Sequence, residues 1–211
     1  MSHSRTSRWV GALMAGGDSR RMGQDKLRMH LPTGEQLIDR PAAALRELCE
    51  YLFCVGPDLS VLPTLGRFQL LADAVTPQSP AGSGPVAGLV AALEKAEQIA
   101  GVHWVLALAG DLPLVEAKHL KPLMEQAENH PGNAVLPVSD HGMEPLLAAY
   151  PVSFAPAART HLQSGKHSLK GFLSEQPWIA LSGKDSDTIR ACFNLNRPED
   201  WESLPGIADP E

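Results

Sequence analysis

The stretch AGGDSRRMGQDK, Ala15 to Lys26, gathers the residue types that an anion needs. Gly16, Gly17 and Gly23 let the backbone approach a ligand and turn its N–H groups toward it. Arg20 and Arg21 add forked guanidinium donors, and Lys26 adds a mobile point charge. Such a set suits a polyphosphate. The spacing matches neither the phosphate loop ending Gly-Lys-Ser/Thr nor the G-x-G-x-x-G dinucleotide fingerprint. A turn with a solvated charge run is the simpler alternative for the same residues.

Asp111, in AGDLPLV, follows a strongly apolar run. A carboxylate at the end of such a strand can hold Mg²⁺ against phosphates, or it can cap the helix after Pro113. Asp25 positions the loop or a metal, or simply pairs with an arginine. Asp73 lies at the end of a strand, near a base or ribose or in a plain turn. In GSGPVAGL, Gly84 and Pro85 open a helix with Gly88 inside it. An internal Gly costs about 1 kcal/mol relative to Ala, so close approach of a ligand or tight packing must justify Gly88. Glu144 in MEPLLAAY is a surface carboxylate by default. Asn194 and Asn196 alternate on one strand face, with Pro198, Glu199 and Asp200 opening a helix behind them.

These residues need elements to hold them. Trp9–Ala15 (WVGALMA) is a buried first strand. A helix over 37–48 follows, with Asp39 as its cap and Pro41 in its first turn. YLFCVG (51–56) and FQLLAD (68–73) are strands, 76–84 is a loop, and Val86, Leu89, Val90 and Leu93 mark a helix. HWVLALAG (103–110) is the most apolar strand and belongs at the sheet centre. A helix around Leu120–Ala127 and a strand over 133–138 complete the alternation. Beyond them come a short strand at 145–150, helices at 155–163 and 168–174, and an edge strand at 178–181. The order implies crossovers and a largely parallel α/β sheet covered on both faces. Trp9, Trp104 and Trp178 are core residues in this scheme, and the histidines show no zinc spacing.

Composition bounds the rest. The chain has 211 residues, 44% hydrophobic and 20% charged, which supports one sizeable core. A formal charge of −6 argues against nucleic-acid binding, which needs a basic footprint. Cys49, Cys54 and Cys192 lack ligand spacing and read as buried hydrophobes in a reducing compartment. The run Trp9–Ala15 is too short for a signal peptide or a membrane span, so a cytoplasmic protein without membrane attachment is expected. Residues 1–8 form a flexible N-terminus and 9–211 one domain.

The segment LMAGGDSRRMGQDK, Leu13 to Lys26, resembles the signature of the molybdenum cofactor guanylyltransferase family, within the MobA-like nucleotidyltransferases. The family pattern is LAGG, a short gap, Arg-Met-Gly, a short gap, then Asp-Lys. GSGPVAGL, AGDLP around Asp111 and FNLNRPEDW extend the likeness in order to Trp201. The resemblance implies a three-layer Rossmann-like fold with a mixed, largely parallel sheet, of the nucleotide-diphospho-sugar transferase type. It implies GTP bound by Leu13, Ala15, Gly16, Gly17, Arg20, Arg21, Lys26, Asp73, Gly84 and Pro85, with Asn194 and Asn196 toward a pterin. Arg21, Lys26 and Asp111 become catalytic, and Asp111 the ligand of Mg²⁺. Gly16 in the AGG form favours GTP, since relatives using CTP tend toward LAAG. Glu144 falls near the acceptor in that pattern.

The implied reaction is attack by a terminal phosphate oxygen of molybdopterin-bound cofactor on the GTP α-phosphate, releasing pyrophosphate. A monomer is expected, with transient partners that deliver pterin or mature molybdoenzymes. The sequence departs from the family at Leu27, where Gly or Ala is usual, and at Arg197, where Thr is usual. The competing readings are a cytidylyltransferase, a related transferase with another phosphorylated acceptor, and a noncatalytic GTP-binding protein of the same fold. Retention of both Lys26 and Asp111 argues against the last.

Overall fold

The computed structural model describes residues 8–16, 26–56, 65–181, 186–193 and 195. The strands are β1 (Arg8–Met14), β2 (Tyr51–Val55), β3 (Gln69–Leu71), β4 (Val102–Ala109), β5 (Ala134–Ser139), β6 (Gly142–Met143), β7 (Leu147–Pro151) and β8 (Trp178–Leu181). The helices are α1 (Asp39–Leu48), α2 (Pro85–Glu97), α3 (Ala117–Asn129), α4 (Ala155–Gln163), α5 (Leu169–Leu173) and α6 (Ser186–Ala191). The strands form one sheet in the order β3-β2-β1-β4-β7-β5-β6, with β8 also paired to β5.

β1 and β4 sit at the middle because both are apolar on both faces, as crossover helices on each side require. Alternate residues sort to the two layers. Trp9, Leu13, Leu106 and Leu108 pack with Leu45 of α1 and Leu120 and Leu123 of α3. Val10, Ala12, Val105 and Ala107 pack with Leu89 and Leu93 of α2 and Leu162 of α4. Gly11 admits α1 closely: a Cβ there would stand 3.0 Å from Leu45 Cδ2. Trp9 and Trp104 stack at 5.5 Å, and Trp9 Nε1 donates to Glu128 Oε1 at 3.0 Å. Burial pushes the Cys49 and Cys54 thiols up to about 12, so both stay neutral core groups.

Parallel pairing joins β3, β2, β1 and β4, and joins β5 to β8. β7 runs antiparallel beside β4, with Leu147 opposite Leu108, and this makes the sheet mixed. Several expectations need correction. Asp39 is the first residue of α1 rather than its cap; Ile38 takes the cap position, and the Asp39 carboxylate accepts from Gln36 N–H at 2.8 Å. β3 ends at Leu71, two residues before Asp73. Trp178 is exposed, because β8 pairs β5 at the sheet margin and leaves one face open. β6 has no counterpart among the expected strands, being only two residues long.

Candidate active site

The parallel register of β1 and β4 sets Met14 beside Ala109, so both strands end together. The ladder continues one step further. Gly110 N–H donates to Met14 O at 3.0 Å, and Ala15 N–H donates to Val55 O at 2.9 Å. Ala15–Gly16 and Gly110–Asp111 therefore leave the sheet side by side at its carboxyl edge, the place where open α/β sheets bind ligands. Gly16 is exposed and Ala15 half-buried. Leu13 is fully buried in the α1–α3 layer, so its side chain lines no ligand surface. Gly56 is a close-packed position beside the start of the first loop that the sequence did not single out. A Cβ there would stand 2.9 Å from the Ala15 carbonyl carbon and the Gly16 nitrogen. Its signal was the glycine ending YLFCVG.

Lys26 opens a 3-10 turn, Lys26–Arg28, and its Nζ donates to Asp111 Oδ2 at 2.7 Å. The two side chains are 13% and 24% exposed, so the pair is shielded yet reachable. Leu27 explains the aim of this turn. It is buried, and a Cβ on Gly110 would come within 3.0 Å of Leu27 Cδ2, so the leucine sits directly over the residue before Asp111. Ile38 N–H donates to Leu27 O at 3.3 Å and ties the turn to α1. The departure from the family's small residue thus becomes a packing anchor next to the charged pair.

Asp111 does not cap a helix. α3 starts at Ala117, and Glu116 is its N-cap. Glu116 closes a capping box in which His119 Nδ1 accepts from Glu116 N–H at 3.1 Å. Burial lowers the His119 pKa from its ordinary value, which favours the neutral ring that this acceptor role needs.

On the other side, Asp73 begins the loop leading to α2. Its carboxylate accepts from the Gly82 backbone, and burial nonetheless pushes its pKa above the ordinary value. Ala74 N–H donates to Ala87 O at 3.1 Å, joining the loop to the first turn of α2. Gly88 faces the same group: a Cβ there would meet Met14 Cε at 2.5 Å and Asp73 Oδ1 at 3.4 Å. Tight packing therefore accounts for the internal glycine. Gly84 caps α2 at φ 95°, ψ −176°, a region essentially confined to glycine, and Pro85 follows in the first turn.

The antiparallel β7 carries residues 144–146 past the carboxyl end of β4, and Ala109 N–H donates to Leu146 O at 2.7 Å. Ser139 Oγ donates to Glu144 Oε1 at 2.5 Å, so Glu144 is an oriented group rather than a loose surface carboxylate. Leu195 N–H donates to Asp111 O at 3.3 Å, bringing the chain's last described residue to the same place. Gly17, Arg20, Arg21, Gly23, Asp25, Asn194, Asn196 and Arg197 lie outside the described residues.

Among the described residues no group of three or more His, Cys, Asp or Glu side chains gathers to cage a metal. Asp111 still fits magnesium. Mg²⁺ commonly takes one or two carboxylates and completes its shell with phosphates and water, and a cation, the Lys26 ammonium, already rests on the Asp111 oxygen. No helix among the described residues is long and apolar enough to cross a membrane.

The chain matches the model of the MobA-like NTP transferase domain over residues 11–179. It is 34% identical over 200 residues to a probable molybdenum cofactor guanylyltransferase of Opitutus terrae, covering 93% of this chain and 95% of that protein. Its fold resembles molybdopterin-guanine dinucleotide biosynthesis protein A of Archaeoglobus fulgidus, with TM-score 0.71 and 24% identity over 92% of this chain and 96% of that one. It also resembles 2-C-methyl-D-erythritol 4-phosphate cytidylyltransferase of Thermus thermophilus, with TM-score 0.64 and 14% identity over 92% and 95% of the two chains. A shared nucleotidyltransferase fold, a family model spanning most of the chain, and a glycine-bounded carboxyl edge with Lys26 on Asp111 converge on one statement: the chain belongs to the MobA-like NTP transferase family.

Proposed function

We propose that this chain transfers GMP from GTP to the terminal phosphate of molybdopterin-bound molybdenum cofactor, releasing pyrophosphate and forming the guanine dinucleotide. The observation that carries the reading is the Lys26 Nζ–Asp111 Oδ2 contact of 2.7 Å, beside the point where Ala15 and Gly16 leave β1. A cation and a carboxylate held together there suit a triphosphate and its metal. Phosphoryl chemistry of this kind is mostly alignment and electrostatics.

The residues divide the work. The Gly16–Gly17 backbone receives the β and γ phosphates, and Arg21 and Lys26 offset charge on the departing pyrophosphate. Lys26 turns from Asp111 toward the phosphates when nucleotide enters. Asp111 would hold magnesium, which would supply charge neutralisation at the α-phosphate. Asp73 and the Gly84–Pro85 segment face the ribose and guanine, and Asn194, Asn196 and Glu144 serve the pterin side. No side chain need act as general base, because a phosphate monoester is already ionised near neutral pH. The reading includes a cytoplasmic monomer that meets pterin-delivering or molybdoenzyme-maturation proteins transiently.

Calorimetric titration with GTP, CTP and ATP in Mg²⁺ tests the base: GTP should bind tightest by at least about tenfold, about 1.4 kcal/mol. Pyrophosphate release should then require the pterin acceptor. Preference for CTP overturns the guanylyl assignment, and tight GTP binding without release for any phosphorylated acceptor overturns catalysis.

A further inference from the structure

The loop between Asp73 and Gly84 is held from behind by the α4–α5 hairpin, and two polar side chains make the joint. Thr76 and Ser79 exchange backbone hydrogen bonds of 2.9 and 3.1 Å, which fold the loop into a tight turn. Ser79 is completely buried. Its Oγ donates to Leu162 O at 2.8 Å and lies 2.8 Å from His167 Nε2. Ser79 has one proton, and the Leu162 carbonyl can only accept it. His167 must therefore present Nε2–H to the serine oxygen, which fixes its tautomer.

The far end of the loop meets the same histidine. A Cβ on Gly84 would stand 3.4 Å from His167 O and 3.6 Å from His167 Cβ. One residue thus anchors the turn through its ring and backs the glycine-only cap of α2 through its backbone. Arg159 of α4 adds a bond to Val75 O at 3.4 Å while pairing with Glu94 of α2. A loop of this length has many closed conformations, and ordering it costs conformational entropy residue by residue. Fixing it before the ligand arrives removes that cost from binding.

We infer that Ser79 and His167 are positioning residues for base recognition: they hold the Gly84–Pro85 segment in the conformation that reads the nucleobase, without touching nucleotide themselves. This rests on the proposal that Gly84–Pro85 faces the base. The inference predicts an asymmetric defect, because the phosphate-binding end of the site is built on β1 and β4 and owes nothing to the clamp.

The test compares Ser79→Ala, His167→Ala and His167→Gln with the wild type in calorimetry against GTP, CTP, ATP and inorganic pyrophosphate, all with Mg²⁺. Near-UV circular dichroism verifies native packing. Ser79→Ala and His167→Ala should weaken the preferred nucleotide about tenfold and shrink its margin over the other two. Pyrophosphate affinity should stay within about twofold. Gln keeps a side-chain N–H and should recover most of the loss, which also serves if the alanine variants pack poorly. Equal weakening of pyrophosphate and nucleotide, or unchanged base discrimination, overturns the inference. A wild type that prefers CTP or ATP defeats the guanine reading alone, and the clamp is then judged on that nucleotide's margin.

Discussion

At the scale of residues, Asp111 carried two accounts that spacing left open, a metal ligand and a helix cap. Asp111 was visible because a polar residue ends the most apolar run in the chain, but spacing alone gives a metal ligand and a helix cap the same appearance. The capping box at Glu116 and His119 removes the second account. Asp111→Asn should therefore fold with almost unchanged melting temperature, since a partly exposed ion pair contributes roughly 0–1 kcal/mol. Asn keeps a hydrogen-bond acceptor but not the charge a hard cation needs, so GMP transfer should slow at least about a hundredfold, equivalent to roughly 2.7 kcal/mol. Lys26→Ala should likewise depress turnover more than stability, because in the proposed reaction its charge would act on the leaving pyrophosphate. Pyrophosphate release measured beside thermal melts checks both. Activity retained with lowered melting would return Asp111 to a structural role. The Ser79–His167 contact was invisible in sequence for a physical reason: 88 positions separate partners that meet only through tertiary packing.

At the scale of elements, legibility followed burial. β1, β2 and β4 bury two faces, and their apolar runs marked their places within a residue or two; α2 and α3 were marked by their buried stripes, Val86–Leu93 and Leu120–Ala127, which lie inside the longer helices. The direction of β7 was not legible, because alternation along a strand reads the same whichever way the strand runs. That direction matters, since it delivers Glu144 and Leu146 to the carboxyl edge. The loop before α2 was legible as a loop, but not the backbone demand at its end. Gly84→Ala asks a Cβ to occupy φ 95°, ψ −176° and to sit 3.4 Å from His167 O. Such conformations cost about 1–3 kcal/mol for residues other than glycine. Urea unfolding should show Gly84→Ala destabilised by that amount with an unchanged m-value. No change in midpoint would mean that the loop relaxes freely and that its conformation is not imposed by the clamp.

At the scale of the whole molecule, the Lys26–Asp111 pair and Gly16 stand at the ends of strands from the centre of the sheet, while the Asp73–Gly84 loop and Glu144 hang on flanking elements. β1 and β4 are fixed by packing on both faces, so the carboxyl ends of both strands are set by the core alone. A ligand bound by the native state alone stabilises it by RT ln(1 + [L]/Kd), about 2.7 kcal/mol at a hundredfold excess over Kd. For a chain of this size each kcal/mol moves the melting temperature by roughly 2–4 °C, so GTP with Mg²⁺ should raise it by about 5–10 °C. The size of that rise should depend on the metal through Asp111. GTP with a chelator should give a clearly smaller shift in the wild type, because Lys26 then answers the triphosphate without the second cation. In Asp111→Asn the shifts with and without Mg²⁺ should coincide, because in the proposed reaction that carboxylate is what would couple metal to nucleotide. Differential scanning fluorimetry on both proteins, with GTP held at a fixed multiple of its measured Kd, separates these cases. Equal shifts with and without Mg²⁺ in the wild type would mean that Asp111 does not hold the metal, and that Lys26 is its partner throughout the binding cycle.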